Sequence, residues 1–98
     1  MKERTIRSKL TILYLEHCPY CNSAKQAIEE LRAENPAYQG VDIEWVEESQ
    51  EPQIANQYDY YYVPSVFMGQ DKLFESSPTN NYSAVKRYIQ RAMDKAVA

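Results

Sequence analysis

The chain has 98 residues, of which 44% are hydrophobic, and a formal net charge of −3 at pH 7. This length suits one globular domain with a modest core. The slight acidic excess excludes the basic footprint that nucleic-acid-binding domains carry. No segment approaches the roughly 20 apolar residues of a membrane span, and no apolar stretch of a secretory signal follows the charged N-terminus. We therefore expect a cytosolic protein that binds neither nucleic acid nor a membrane.

The first half of the chain predicts a strand, a helix and a second strand. Residues 1–9 are rich in basic side chains and are predicted to be an N-terminal tail or a short edge strand. The apolar run 10–15 predicts the first strand. Apolar residues at helical spacing over 21–31 predict an amphipathic helix that ends before Asn35. Alternating apolar and polar residues over 41–46 predict the second strand.

The second half of the chain predicts a helix, a hairpin and a last helix. Ser49 can cap a helix that runs through Tyr58. Residues 63–68 and 72–75, joined by a glycine-containing turn, predict a β-hairpin. An apolar stripe over residues 85–96 predicts the last helix.

The order of these elements predicts the architecture. A crossover through the first helix makes the first two strands parallel, whereas a hairpin is antiparallel. We therefore expect an α/β fold with a four-stranded mixed sheet in the order βαβαββα, flanked by helices. Residues 10–98 are expected to form this one domain.

Two cysteines, Cys18 and Cys21, lie directly after the first predicted strand. If Pro19 opens the helix, Cys18 lies at the helix N-terminus, where unpaired N–H groups and the macrodipole favour a thiolate. Cys21, one turn further in, is shielded yet close enough to displace whatever becomes bonded to Cys18. The spacing therefore predicts an attacking thiol at Cys18 and a resolving thiol at Cys21.

Other interpretations of the two cysteines are weaker. A structural disulfide is disfavoured because so small a loop constrains the unfolded chain little. A structural zinc site needs four ligands, and the cysteines with the neighbouring His17 supply too few; we expect no metal. Inert thiols remain an alternative. However, a C-x-x-C pair at a strand-to-helix junction is the recognised redox signature, and in a reducing compartment it favours catalysis or sensing.

Three features of the chain occur together: the sequence CPYC at 18–21, the pair Val63–Pro64 before a predicted strand, and the order of elements. In these the chain resembles the glutaredoxins of the thioredoxin superfamily, over nearly everything after residue 9. The resemblance implies a thioredoxin-like fold and dithiol–disulfide exchange, without a metal or organic cofactor. It also implies a cis bond before Pro64, with the Val63 backbone offered to an extended substrate.

The chain departs from glutaredoxins where they hold glutathione. Phe74, Glu75 and Ser76 occupy the stretch in which glutaredoxins have a Gly-Gly pair followed by acidic and small residues. The ring and the carboxylate are expected to crowd and repel glutathione. We therefore expect a monomer that acts on protein or small-molecule disulfides, with a flavoprotein disulfide reductase as the first choice of electron donor and glutathione or another small thiol as the second.

Tyrosines are concentrated before Pro64. Tyr58 is expected to pack in the core, Tyr62 to contact the substrate groove, and Tyr60 and Tyr61 to lie in solvent or at its rim. Two further substrate-contacting residues are expected between the cysteines, Pro19 and Tyr20.

Charged residues near the cysteines have a functional and a plainer interpretation. Protonated His17 would stabilise a Cys18 thiolate, although adjacent strand residues point in opposite directions. Glu16 could relay protons to Cys21, but an exposed carboxylate is the commoner outcome. Lys25 and the acidic run over 44–51 are interpreted as solvated surface.

Two other functions compete with catalysis. The first is a redox sensor or a binding module on a thioredoxin fold without turnover. The second is iron–sulfur cluster carriage by a glutaredoxin-like dimer, which typically goes with a single active-site cysteine. The intact pair of cysteines favours an oxidoreductase over both.

Overall fold

The computed structural model describes residues 9–77 and 80–97. The expected tail or edge strand over residues 1–9 lies, except for Lys9, outside the described residues. Across the described part of the chain the predicted order βαβαββα is confirmed, with a 3₁₀ helix added after the first helix. The elements are β1 Leu10–Tyr14, α1 Pro19–Glu34, the 3₁₀ helix Pro36–Gly40, β2 Ile43–Glu47, α2 Pro52–Ala55, β3 Ser65–Met68, β4 Asp71–Glu75 and α3 Tyr82–Val97.

Within the described ranges, the four strands form one mixed sheet in the spatial order β2-β1-β3-β4. β1 is parallel to β2, with Leu10 opposite Ile43, because α1 and the 3₁₀ helix carry the chain back between them. β3 is antiparallel to both β1 and β4. Gly69 opens the β3–β4 turn with φ +62°, a left-handed conformation that glycine adopts at little cost. The predicted mixed sheet is therefore confirmed.

Both faces of the sheet are buried. Alternate strand residues point to opposite faces, so Ile12 of β1 faces α1 and α3 while its neighbour Leu13 faces α2. The larger core lies on the first side and includes Leu10, Val66, Phe74, Ile89 and Met93. The smaller core consists of Leu13, Val46, Ala55 and Phe67. Burial on both faces explains why β1 carries no charged residue and, apart from Thr11, consists of apolar and aromatic residues.

The second helix is shorter than the sequence predicts. Its N-cap is Glu51 and it spans only Pro52–Ala55, whereas the expected helix is capped by Ser49 and runs through Tyr58. Ser49 lies two residues before this N-cap, and its hydroxyl and N–H donate to the Glu47 carboxylate. Pro52 fixes the first helical position instead, as proline commonly does.

Phe74 belongs to the larger core. Its side chain is 6% exposed and stacks on Tyr88 of α3, with ring centroids 5.1 Å apart. Because alternate strand residues face opposite sides, the neighbouring Glu75 is directed away from this core. The expectation that the Phe74 ring crowds a ligand is therefore wrong.

We predict that Phe74→Ala lowers the free energy of unfolding by about 3–5 kcal/mol, because removing a buried ring loses its transfer energy and leaves a cavity. Phe74→Leu, which keeps much of the volume, should cost much less and serves as the matched control. Urea unfolding followed by circular dichroism measures both. Equal stability of the two variants would contradict the packing described above.

Candidate active site

The two cysteines lie where the sequence predicts, at the junction of β1 and α1. Cys18 is the N-cap of α1, Pro19 occupies the first turn, and the N–H of Asn22 donates to the Cys18 carbonyl at 3.0 Å. Both thiols are free; Cys18 is half-buried, whereas Cys21 is only 1% exposed. One sulfur is accessible and the other is shielded.

Cys21 is held in its protonated form. Burial raises the pKa of the Cys21 thiol to about 12, although the N–H of Leu15, 3.5 Å from its sulfur, and the charge of Lys25 favour the thiolate. A hydrogen bond between the Cys21 and Cys18 side chains raises this pKa further and links the two sulfurs. At neutral pH Cys21 therefore carries a proton next to Cys18.

A buried carboxylate holds the turn before Cys18. Glu47 is 6% exposed, and its Oε2 accepts a hydrogen bond from the N–H of Glu16 at 3.0 Å. Its Oε1 accepts from the hydroxyl and N–H of Ser49 and from the N–H of Gln50. The Ser49 hydroxyl and then the Glu16 amide lower the pKa of the Glu47 carboxyl. The expectation that the acidic run over 44–51 is solvated is therefore wrong for Glu47. Its carboxylate joins the turns that follow β1 and β2.

Lys25 is also more than a solvated charge. Its Nζ lies 4.5 Å from the centroid of the Tyr14 ring and 5.6 Å from that of Trp45, within the range of cation–π attraction. The expectation of a simply solvated side chain is therefore wrong. His17 is exposed and occupies a turn with φ +65°.

The loop over residues 56–64, between α2 and β3, reaches the same site. Its Val63–Pro64 peptide bond is cis, which confirms the expectation from the sequence. The Pro64 carbonyl accepts a hydrogen bond from the N–H of Ser76 at 3.0 Å. A small cleft of about 40 Å³ joins this loop to the CPYC motif and is lined by Tyr20, Tyr62, Val63, Ser76 and Ser77.

The tyrosines of the 56–64 loop divide between surface and core. Tyr61 and Tyr62 are 87% and 55% exposed. Tyr58 packs on Phe67 with ring centroids 4.9 Å apart, which confirms its expected place against the core. Tyr60 is partly buried against the same ring, and its hydroxyl donates to Glu48 at 2.6 Å. Its expected position in solvent or at the rim is therefore wrong.

Glu75 contacts the backbone of the 56–64 loop. Its Oε2 accepts hydrogen bonds from the N–H groups of Tyr61 and Tyr62, at 2.5 and 2.7 Å, and its Oε1 accepts from Lys72 at 2.7 Å. Burial opposes ionisation, but the bonds from Lys72 and the two amides outweigh it and lower the pKa of the Glu75 carboxyl. The sequence did not reveal these partners, which lie up to 14 positions away.

In the ranges 9–77 and 80–97, no helix has the length and apolar character needed to cross a membrane. The same described ranges hold no group of three or more His, Cys, Asp or Glu side chains that could bind a metal ion.

Similarity to known proteins agrees with this architecture. The family model for glutaredoxin matches residues 5–73. A thioredoxin from Methanocaldococcus jannaschii is 31% identical over 83 residues, which cover 83% of this chain and 95% of the relative.

Two solved structures share the fold. The crystal structure of Trxlp from Edwardsiella tarda superimposes with a TM-score of 0.59 at 16% identity, covering 85% of this chain and 82% of that chain. The zinc-bound form of human ERp44 gives a TM-score of 0.54 at 20% identity, covering 89% of this chain but 27% of that protein. At such identities these two structures support the thioredoxin-like fold alone. With the family match over more than half of its length, the chain belongs to the glutaredoxin family of the thioredoxin superfamily, whose members are thiol–disulfide oxidoreductases.

Proposed function

We propose that this protein is a dithiol–disulfide oxidoreductase that reduces disulfides in proteins or small molecules through Cys18 and Cys21. The observation that carries the proposal is the asymmetry of the two thiols. Cys18 is half-buried at a helix N-terminus, while Cys21 is 1% exposed and has a pKa raised to about 12. An attacking and a resolving sulfur need this difference in access.

The proposed reaction has two exchanges. The Cys18 thiolate attacks one sulfur of the substrate disulfide, a mixed disulfide forms, and the other substrate sulfur leaves as a thiolate. Cys21 then gives up its proton to the sulfur that departs and attacks Cys18, which releases the second substrate sulfur. The substrate gains two electrons, one proton from Cys21 and, at its first thiolate, one proton from the solvent, and the enzyme is left with a Cys18–Cys21 disulfide.

The cleft beside the cis-proline is proposed to receive the substrate chain around its cysteine. Backbone groups of Val63, next to Pro64, would pair with an extended segment as an added strand does. The rings of Tyr20 and Tyr62 would pack on that segment, because tyrosine offers a large contact area with a polar tip. Pro19 would keep the helix N-terminus directed at the reacting sulfurs.

The dithiol must be regenerated by an external donor, which we propose to be a flavoprotein disulfide reductase, with glutathione second. Lys72, a cation beside the 56–64 loop, is paired with Glu75, so a carboxylate of glutathione would have to compete with Glu75 for it. The similarity to a protein named thioredoxin supports the same choice. The enzyme is proposed to act as a monomer in the cytosol, where thiols are kept reduced.

Replacing each cysteine tests the assigned roles. We predict that Cys18→Ser reduces insulin, with dithiothreitol as donor, no faster than dithiothreitol alone, because the attacking sulfur is gone. Cys21→Ser should keep the first exchange but turn over more slowly than the unaltered protein. The turbidity of reduced insulin measures the rates. An unaltered protein that does not accelerate the reaction would favour a sensor or binding module without turnover.

Alkylation tests the difference between the thiols. Iodoacetamide should label Cys18 first, because the Cys21 thiol is buried. Labelling of Cys21 in the folded protein should stay slow to about pH 10, where a group with a pKa of about 12 is ionised to roughly 1%. Peptide mass spectrometry assigns the site. Preferential labelling of Cys21 would reverse the proposed roles.

A third prediction concerns the donor. Turnover of insulin coupled to NADPH should be several-fold faster with thioredoxin reductase than with glutathione and glutathione reductase. Cys18→Ser gives the background rate for both systems. A faster rate with glutathione would mean that the paired Lys72 does not limit its binding, and the donor assignment would be wrong.

A further inference from the structure

The 56–64 loop lacks regular partners for part of its backbone. Residues 56–64 contain no helix or strand, yet they carry the groups proposed to dock the substrate. Backbone N–H groups in such a segment need other acceptors if the segment is to hold one shape. For Tyr61 and Tyr62 the acceptor is one atom, Oε2 of Glu75.

Glu75 is well placed to fix the loop because it belongs to the sheet. It is the last residue of β4 and is paired with Ser65, the first residue of β3. The next residue along, Ser76, donates its N–H to the Pro64 carbonyl. The end of β4 therefore holds the chain on both sides of Val63.

The chemistry of the acceptor also favours this role. Hydrogen bonds to a carboxylate are shorter and stronger than those between neutral groups, and one oxygen can accept two donors. Lys72 binds the other oxygen, Oε1, which leaves Oε2 to accept from the two loop amides. Near Tyr61 and Tyr62, the loop is also tied by the Tyr60 hydroxyl, which donates to Glu48, and by the Ser65 hydroxyl, which donates to the Tyr62 carbonyl.

We propose that Glu75 is a positioning residue, whose carboxylate holds the backbone of Tyr61 and Tyr62 so that Tyr62 and Val63 are preorganised for a disulfide substrate. The consequence for the reaction rests on the proposed function. Glu75 is proposed to affect substrate binding, because the 56–64 loop that it holds would contact the substrate. Cys18 belongs to the start of α1 and is not held by this loop. Loss of Glu75 should therefore raise KM and leave the reactivity of Cys18 unchanged.

Three variants separate this role from a general loss of stability. Glu75→Ala removes the acceptor, Glu75→Gln keeps one neutral oxygen, and Lys72→Ala is the matched control that keeps the carboxylate. Amide hydrogen exchange of Tyr61 and Tyr62, measured by NMR, reports the loop without any assay of activity. The kcat and KM for insulin and the alkylation rate of Cys18 report the site.

In Glu75→Ala we expect exchange at Tyr61 and Tyr62 to accelerate about tenfold or more, as the loss of a charge-assisted hydrogen bond implies. KM should rise several-fold while Cys18 is alkylated at the rate of the unaltered protein. Glu75→Gln should recover part of both effects, and Lys72→Ala, which removes the ion pair but keeps the acceptor of the two amides, should have a smaller effect than Glu75→Ala.

Unchanged amide hydrogen exchange of Tyr61 and Tyr62 in Glu75→Ala would overturn the proposal. Faster exchange with an unchanged KM for insulin would also overturn it. A parallel fall in kcat and in Cys18 alkylation, which Glu75→Gln does not restore, would make Glu75 a structural residue only. If the unaltered protein does not reduce insulin, the proposed function fails, and the exchange rates alone decide whether Glu75 holds the loop.

Discussion

The burial of Cys21 beneath the junction of β1 and α1 is the constraint on which the account of this site depends. Desolvation raises the pKa of Cys21 to about 12 and so keeps a proton on its thiol, while Cys18 at the helix N-cap is only half-buried. A helix that begins at Pro19 produces this arrangement, because one residue then lies at the N-cap and another one turn inside. The strand that precedes the helix is buried on both faces, so the junction has little freedom to move.

Two carboxylates hold the loops on either side of this junction. Glu47, at the end of β2, accepts from the Glu16 amide just before the CPYC motif. Glu75, at the end of β4, accepts from the two amides that precede Val63. Both are strand-terminal residues that accept from backbone donors of irregular segments, and such charge-assisted hydrogen bonds are stronger than bonds between neutral groups. The rigidity of the sheet is thereby extended to the loops that carry the proposed reaction and its substrate.

The sequence predicted those features that depend on neighbouring residues. Within the described residues, hydrophobic patterning located the four strands and the two long helices, and the position of Pro19 placed Cys18 at the N-cap. Prediction from the sequence failed where a side chain contacts residues that are distant in the chain. Glu47 and Lys25 are interpreted from the sequence as solvated charges because the hydrogen bond from the Glu16 amide to Glu47 and the contact of Lys25 with Trp45 form only when the chain folds. Strand alternation could have assigned Phe74 to the core, but nothing local indicates that Glu75 would meet the amides of the 56–64 loop.

The proposed roles of the two sulfurs are tested most directly by mapping the mixed disulfide. The Cys21→Ser variant, mixed with a peptide that contains a disulfide, should form a one-to-one covalent adduct. Mass spectrometry of the unreduced digest should place the adduct on Cys18. An adduct that forms only in Cys18→Ser, on Cys21, or no adduct in either variant, would contradict the assignment of Cys18 as the attacking thiol.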